Sequence, residues 1–353
     1  MMNQKKRFAK NFILLSALWL VLAAVLVIVA DPFFHYHKPL FGLKTVASKP
    51  EYQSIGSVRN LEYDSILLGS SVAENYNTHL FDEYFGVKTV KAINKSASVT
   101  DLSYYLEESL KAKEVKNVFY SLDIFSLTTD PEKVFPDETM PQYLFNINPF
   151  DDVNYVWNKD VIFESIPYML ARNFLEKDYD EGLAYSWAYS KTFSKEETLS
   201  HYYRREDVTL QKGPETYAET VNKNLDTLEK IVKKNPDVKF YFICPPYSML
   251  WWDDNYRKGE EEQNLYISRQ AAKRLLAYEN VRMFYFQNDE KIITDLNNYM
   301  DLIHFSDAVN DDIVRHMAAG EYEITLENYE EEIEKMKTLS EKIQTEYMKE
   351  LFP

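Results

Sequence analysis

Cysteine is almost absent from this sequence, and glycine is scarce. Cys244 is the one cysteine, so the chain cannot form an internal disulfide. Only 8 of the 353 residues are glycine, and none belongs to a nucleotide-binding loop. His35 and His37 lie two residues apart but lack a nearby third ligand, which makes a poor metal site. We therefore expect neither a cofactor nor a metal.

Basic residues are sparse beyond the first thirty residues. Lys5, Lys6, Arg7 and Lys10 stand in that opening stretch, which holds no acid. The rest of the chain carries 36 basic against 56 acidic side chains, a net charge of −20. A surface of that sign repels nucleic acid, so we expect no nucleic-acid partner.

Only one long apolar run occurs, from Phe12 to Ala30, and Ser16 is its single polar residue. A helix of 19 residues spans the roughly 30 Å hydrocarbon core of a membrane. The basic flank predicts residues 1–11 as a cytoplasmic tail and everything after Ala30 as extracytoplasmic. A cleaved signal peptide is the alternative, but signal cores are shorter and end in small residues, and Ile28 is large. We expect an uncleaved, single-pass anchor in the cell membrane.

The remainder alternates between predicted strands and helices. The pattern indicates an α/β fold with a doubly wound parallel sheet of flavodoxin-like type, helices on both faces, and a site at the carboxyl ends of the strands. The five predicted strands are Tyr63–Leu68, Val87–Ile93, Asn117–Asp123, Val238–Cys244 and Val281–Phe286.

Several stretches do not follow this alternation of strands and helices. Residues 31–54 are predicted to form a juxtamembrane linker, and residues 55–320 the α/β domain. Within that domain, residues from about 127 to 208 are rich in proline and aromatics and predict an inserted cap of helices and loops, a common source of substrate walls. From 321 to 353 the pattern predicts an acidic amphipathic helix, which packs on the domain exterior or docks a partner.

Two short stretches contain candidate catalytic residues. Ser71 follows Gly69-Ser70 directly after the first predicted strand, where the N–H groups of a following helix can face a reacting oxygen. Far downstream, Asp301 and His304 lie three residues apart, a spacing that lets a carboxylate fix the tautomer of the imidazole. A serine needs such a base, and the base needs an orienting group. We predict Ser71, His304 and Asp301 as nucleophile, base and orienter.

Together the two stretches resemble the SGNH (GDSL-like) hydrolase family, which carries its serine in a Gly-x-Ser block and an Asp-x-x-His near the C-terminus. The resemblance implies oxyanion donors in the loops after the second and third strands, a glycine N–H and an asparagine amide. By position, Ser96 stands for the glycine and Asp123 for the asparagine. A carboxylate at 123 has no N–H and repels an oxyanion, which disfavours simple hydrolysis. The other interpretation of Asp123 is that it orients a loop or caps a helix.

The Asp31-Pro32-Phe33-Phe34 stretch resembles that of anchored SGNH proteins paired with membrane-bound O-acyltransferases, such as those of teichoic acid D-alanylation and alginate acetylation. This resemblance implies a serine acyltransferase. It would take an acyl group, in the first instance acetyl, from a membrane-bound O-acyltransferase to a cell-surface polysaccharide or wall polymer. Two alternatives remain open at this point: a carbohydrate or peptidoglycan esterase, and a catalytically silent scaffold for the membrane partner.

Overall fold

The structure, a computed structural model, describes residues 2–132, 140–146, 148–176 and 178–352. The predicted insertion at 127–208 therefore includes a few positions outside the described residues. The chain divides into two compact units. One unit comprises Met1–Leu61 and Glu138–Glu181, and the other Glu62–Asp137 and Gly182–Pro353.

The second unit contains a six-stranded, mostly parallel sheet, which confirms the predicted fold class. Its strands follow the order β2-β1-β3-β4-β5-β6, and β6 alone runs antiparallel to its neighbour. The connection from β1 goes to β2 on one side and the next connection goes to β3 on the other, so the strand order reverses at β1; in sheets of this kind ligands bind beyond the carboxyl ends of the strands at that point. The strands are β1 Ser65–Gly69, β2 Thr89–Ile93, β3 Asn117–Ser121, β4 Lys239–Cys244, β5 Val281–Tyr285 and β6 Glu323–Ile324.

All five predicted strands form, each within two residues of its predicted start and end. β1 and β3 are buried along their whole length, as expected of central parallel strands. The sixth strand was not predicted, because its two residues are too few to show a pattern. It adds to the edge of β5, where Arg282 forms an ion pair with Glu323.

Helices flank this sheet. Within the stretch 321–353 that was predicted as an acidic helix, the helix begins only at Tyr329, because β6 and a turn occupy the first residues. This helix buries Ile333, Met336 and Leu339, while its glutamates remain largely exposed. The helices of this unit are α3 Thr78–Phe85, α4 Val99–Ala112, α5 Ile124–Thr128, α9 Lys195–Ser200, α10 Ala218–Lys234, α11 Met249–Lys258, α12 Glu261–Leu275, α13 Glu290–Thr294, α14 Asp307–Ala319, α15 Tyr329–Lys342 and α16 Met348–Leu351.

The first unit is built of helices joined by turns and loops, with no strand among its described residues. It consists of α1 Met2–Ala30, α2 Pro50–Asn60, α6 Gln142–Phe145, α7 Val153–Val156 and α8 Ile166–Phe174. Within α1, Gln4–Ala30 is long and apolar enough to cross a membrane, and almost none of that stretch is buried. Across the described part of the predicted insertion we find helices and loops and no strand, as expected.

Candidate functional site

The predicted nucleophile lies immediately after β1. Gly69 ends the strand in close contact with β3, since a Cβ at this position would lie 2.9 Å from the Cβ of Ser121. Ser70 then caps a short 3₁₀ segment, Ser71–Ala73, by accepting the N–H of Val72. Ser71 is the first residue of that segment, and its side chain is half-buried. Strand end and cap together hold the Ser71 hydroxyl at the carboxyl edge of the sheet.

Ser71, His304 and Asp301 form one hydrogen-bonded relay. The Ser71 Oγ lies 2.9 Å from Nε2 of His304, and Nδ1 of the same ring lies 2.6 Å from Oδ2 of Asp301. The other oxygen of Asp301 accepts the backbone N–H groups of Ile303 and His304. Burial alone would raise the pKa of Asp301, but these hydrogen bonds and the adjacent imidazole hold it below its ordinary value. The carboxylate therefore stays ionised and keeps the proton of His304 on Nδ1, which leaves Nε2 free to accept the serine proton.

The loop that carries His304 is fixed by contacts distant in sequence. The Thr198 hydroxyl in α9 is fully buried and lies 2.7 Å from the carbonyl of Tyr299 and 3.0 Å from that of Leu296. Ser248 donates to the carbonyl of Leu302 at 2.7 Å. Thr198 and Ser248 were not identified from the sequence, because each lies more than forty residues from the loop that it holds.

Asp123 lies at the end of β3, behind the nucleophile loop. Its carboxylate is buried and accepts hydrogen bonds from the Ser70 hydroxyl at 2.7 Å and from the Tyr247 hydroxyl at 2.6 Å. It begins α5 without capping it through its side chain. Burial raises the pKa of Asp123, and the two hydroxyl donors and the charge of His304 partly offset that rise. Of the two interpretations of Asp123, these contacts fit a group that orients a loop, since both oxygens are engaged.

Ser96 lies in the turn between β2 and α4. Its backbone adopts a left-handed φ of 53°, a conformation that glycine takes without strain. The turn is held by a capping box in which Ser98 and Asp101 each accept the other's backbone N–H. Within the described residues, the N–H groups of Ser71 and Ser96 have no acceptor. Both are thus available as donors to a ligand oxygen.

Asn94 is a polar residue of the site region that was not predicted. It follows β2, and its N–H donates to the carbonyl of Gly69 at 3.3 Å, which places it beside the nucleophile loop. Its side chain is buried, and its amide nitrogen has no hydrogen-bond partner among the described residues. An unsatisfied buried donor costs about 1–3 kcal/mol, so it is a candidate to bind a ligand oxygen.

A second carboxylate adjoins the relay. Glu74 lies just past the 3₁₀ segment, is 1 % exposed, and accepts the indole N–H of Trp187. The Trp187 ring in turn meets the imidazole of His304 edge-on, with ring centres 5.4 Å apart. Asn75 accepts the backbone N–H groups of Trp187 and Ala188, both at 3.1 Å. Trp187, a residue of the predicted insertion, thus lies beside His304, although no pattern in the sequence identified it as a residue of the site.

Burial raises the pKa of Glu74 to about 7, despite the nearby positive charges of Lys95, Lys91 and His304 and the bond from Trp187. The neutral form then contributes stability that is present below the ordinary pKa of 4.5 and is lost as the pH rises through about 7. Glu74→Gln keeps an acceptor for Trp187 and removes this titration. Between those two pH values, we expect the free energy of unfolding of the parent to fall by about 2–3 kcal/mol relative to Glu74→Gln. Chemical denaturation of both proteins across this range measures the difference, and a constant difference would contradict it.

Other sequence candidates lie elsewhere. Cys244 is buried at the end of β4, and burial raises the pKa of its thiol to about 12, so it is protonated at neutral pH. His35 bonds to Asp152, and His37 lies 2.8 Å from the carbonyl of Ile28. Among the described residues, no group of three or more His, Cys, Asp or Glu side chains could hold a metal ion.

The fold and the site define a parallel α/β protein with a Ser-His-Asp relay at the carboxyl edge of its sheet. Neither a protein-family model nor a curated protein matches the chain. A solved structure from Streptococcus pneumonia, provisionally named a platelet activating factor, is similar at 13 % sequence identity and a TM-score of 0.38. The match covers 77 % of this chain and 91 % of that one. At that score the likeness carries no information on activity.

Proposed function

We propose that this protein is an extracytoplasmic serine acyltransferase that works through an acyl-Ser71 intermediate. The observation that carries the proposal is the relay from Ser71 through His304 to Asp301, with both distances within hydrogen-bonding range. The resemblance to the SGNH hydrolase family, on Gly69-Ser70-Ser71 and Asp301/His304, supports the same chemistry.

In the first half-reaction, Ser71 Oγ attacks the acyl carbonyl carbon of the donor while His304 Nε2 takes the hydroxyl proton. Asp301 stabilises the imidazolium that forms. We propose the N–H groups of Ser71 and Ser96 as the donors that stabilise the oxyanion, with the Asn94 amide as a third candidate. Collapse of this intermediate breaks the bond to the donor's leaving group, which takes the proton from His304.

In the second half-reaction, an acceptor hydroxyl attacks the acyl-enzyme and passes its proton to His304. The new ester leaves, and Ser71 recovers its proton. We propose a membrane-bound O-acyltransferase as the donor and a cell-surface polysaccharide or wall polymer as the acceptor, on the family resemblance and on the apolar helix α1. The direct test offers a sugar acceptor and water to the acyl-enzyme. Transfer to the sugar supports the proposal, and exclusive hydrolysis favours an esterase.

The esterase remains the second candidate, because the relay alone serves transfer and hydrolysis equally. The silent scaffold predicts that Ser71 can be replaced with no loss of polymer acylation in cells. An adjacent gene for a multi-pass acyltransferase would favour the transferase or the scaffold over the esterase.

A substitution at Asp123 distinguishes an acyltransferase from an esterase. In its ionised form, Asp123 lies within electrostatic range of His304 and behind Ser70 and raises the barrier to forming a second negative charge nearby. We expect Asp123→Asn to hydrolyse a small aryl ester severalfold faster than the parent at neutral pH. Tyr247→Phe is the matched control, because it removes one hydrogen bond to Asp123 and keeps the charge; it should lower stability by about 1 kcal/mol without faster turnover. A well-folded Asp123→Asn that is no faster than the parent leaves Asp123 with a positioning role alone.

The proposed location is tested separately. Lys5, Lys6 and Arg7 precede the apolar run, so we expect α1 to remain uncleaved with the bulk of the chain outside. Protease added to intact spheroplasts should then degrade the α/β domain. A fully protected domain, or a mature N-terminus at Asp31, would contradict this prediction.

A further inference from the structure

The first unit leaves large apolar side chains exposed outside α1. They are concentrated between residues 148 and 175, a stretch that we name the apolar shoulder. Phe150 is 84 % exposed, Phe163 77 %, Phe174 68 % and Leu175 80 %. Apolar residues scattered singly on a surface are ordinary, but a group of this size in one segment marks an interaction surface.

The apolar shoulder is not a simple amphipathic element. Phe163, Pro167, Leu170 and Phe174 recur at helical spacing through α8 and the turn before it, and all four are exposed. The neighbouring face, which includes Ile166 and Met169, is buried in the unit. The apolar arc of this helix is therefore wider than the part that the unit buries, and the exposed remainder favours apolar surroundings.

The apolar shoulder lies along α1. The indole N–H of Trp157, which follows α7, donates to the carbonyl of Leu20 at 2.9 Å. On the same helix Val27 is buried, and Ala23 and Ala24 are half-buried. Leu20 lies ten residues before the end of α1, or about 15 Å along its axis. The contact therefore reaches well into the apolar run.

The end of α1 is fixed to the same segment. Asp31 is buried and accepts the backbone N–H groups of His35, Tyr36 and His37. The hydroxyl of Tyr155, in α7, donates to Asp31 at 2.8 Å. Two separate attachments, at Leu20 and at Asp31, therefore set the position of α7 relative to α1.

These positions constrain the depth of the apolar shoulder in a membrane. If residues 20–30 lay in water so that α7 stayed outside the membrane, only the apolar residues 12–19 would remain to span it, and they provide about 12 Å of helix. A hydrocarbon core of roughly 30 Å needs the whole run from Phe12 to Ala30. A spanning α1 thus carries the contact between Trp157 and Leu20 below the membrane surface.

We propose that the apolar shoulder inserts into the membrane leaflet at the C-terminal end of α1, with Phe150, Phe163, Phe174 and Leu175 among the lipid acyl chains and headgroups. The inference rests on α1 as a membrane span and not on catalysis. Charged neighbours lie in pairs, Lys159 with Asp160 and Lys49 with Glu164, and their side chains can reach the headgroup level.

The test labels the full chain, in a Cys244→Ala background, at Phe163→Cys or Phe174→Cys with an environment-sensitive fluorophore. Tyr203→Cys, at an exposed aromatic of the α/β unit, is the matched control, and Leu14→Cys reports on α1. Each protein is reconstituted at low density in phosphatidylcholine–phosphatidylglycerol vesicles. Quenching is measured with spin-labelled phosphatidylcholine and, separately, with aqueous iodide.

We expect labels at 163, 174 and 14 to be quenched severalfold more by the spin-labelled lipid than the label at 203, which iodide should quench instead. Labels at 163 and 174 that respond to iodide like the one at 203 would overturn the proposal and leave the face to a protein partner. If the labels at 163 and 174 are shielded from both quenchers, and this shielding disappears when the protein is diluted in lipid, the face binds a second copy of the chain. That result would also overturn the proposal of membrane insertion. An unquenched label at 14 would overturn the span and the insertion together.

Discussion

Replacing Ser71 by alanine is expected to reduce acyl transfer and ester turnover by a factor on the order of 10⁶, because the Ser71 hydroxyl that hydrogen-bonds to Nε2 of His304 supplies the attacking oxygen. His304→Ala should cost about as much, and the double variant little more, since the members of a relay act as a unit. The measurement is steady-state turnover of an aryl ester by the purified full-length chain, with thermal melting to show that each variant is folded.

Ser70→Ala is the matched control for that experiment. Ser70 precedes the nucleophile in sequence, but its hydroxyl faces Asp123 and not His304. Its loss should lower stability by about 1 kcal/mol and leave most of the activity. If Ser71→Ala kept full ester turnover while Ser70→Ala lost it, the assigned nucleophile would be wrong by one residue.

Asp301→Asn should lower turnover by about 10⁴ without unfolding the protein. The asparagine can still accept the N–H groups of Ile303 and His304 through its oxygen, so the loop should keep its shape. Its amide nitrogen, however, would face Nδ1 of His304 and donate to it. The ring would then carry its proton on Nε2, where it cannot take the proton of Ser71.

Two readouts separate this tautomer effect from simple damage to the site. The melting temperature of Asp301→Asn should be nearly unchanged. The loss of activity should appear in kcat more than in KM, because substrate binding does not need the base. A variant that keeps activity within tenfold of the parent would contradict the role of Asp301 as the orienting group.

Much of the fold follows from the sequence alone. The central strands are short, continuous apolar runs, and the leucines of α4 (Leu102, Leu106 and Leu110) recur every four residues, so both kinds of element can be recognised in a single sequence. Parallel order then brings the loops that carry Ser71, Ser96 and Asp123 to one edge. The strand β6 was not predicted because two residues are too few to show a pattern. The division of the insertion between two units was not predicted either, because the composition of the insertion does not change where it divides.

Less of the site could be predicted. Ser71, Asp301 and His304 were predicted because the spacing within each stretch is local and resembles a known motif. Glu74, Trp187 and Thr198 act through contacts that span about one hundred residues, and a single sequence does not encode such pairs as a pattern. Asp123 was placed in the correct loop, but only the structure assigns its two oxygens to hydroxyl donors.

The central claim is tested most directly by locating the acyl group on the enzyme. The chain is incubated with an activated acetyl ester, quenched in acid and digested with trypsin, and cleavage after Arg59 and Lys88 releases residues 60–88 in one peptide. Fragmentation of this peptide in a mass spectrometer should place the acetyl group on Ser71 in the parent protein and find none in His304→Ala. Acetyl on Ser70, or turnover that proceeds with Ser71 never modified, would contradict an acyl-Ser71 intermediate.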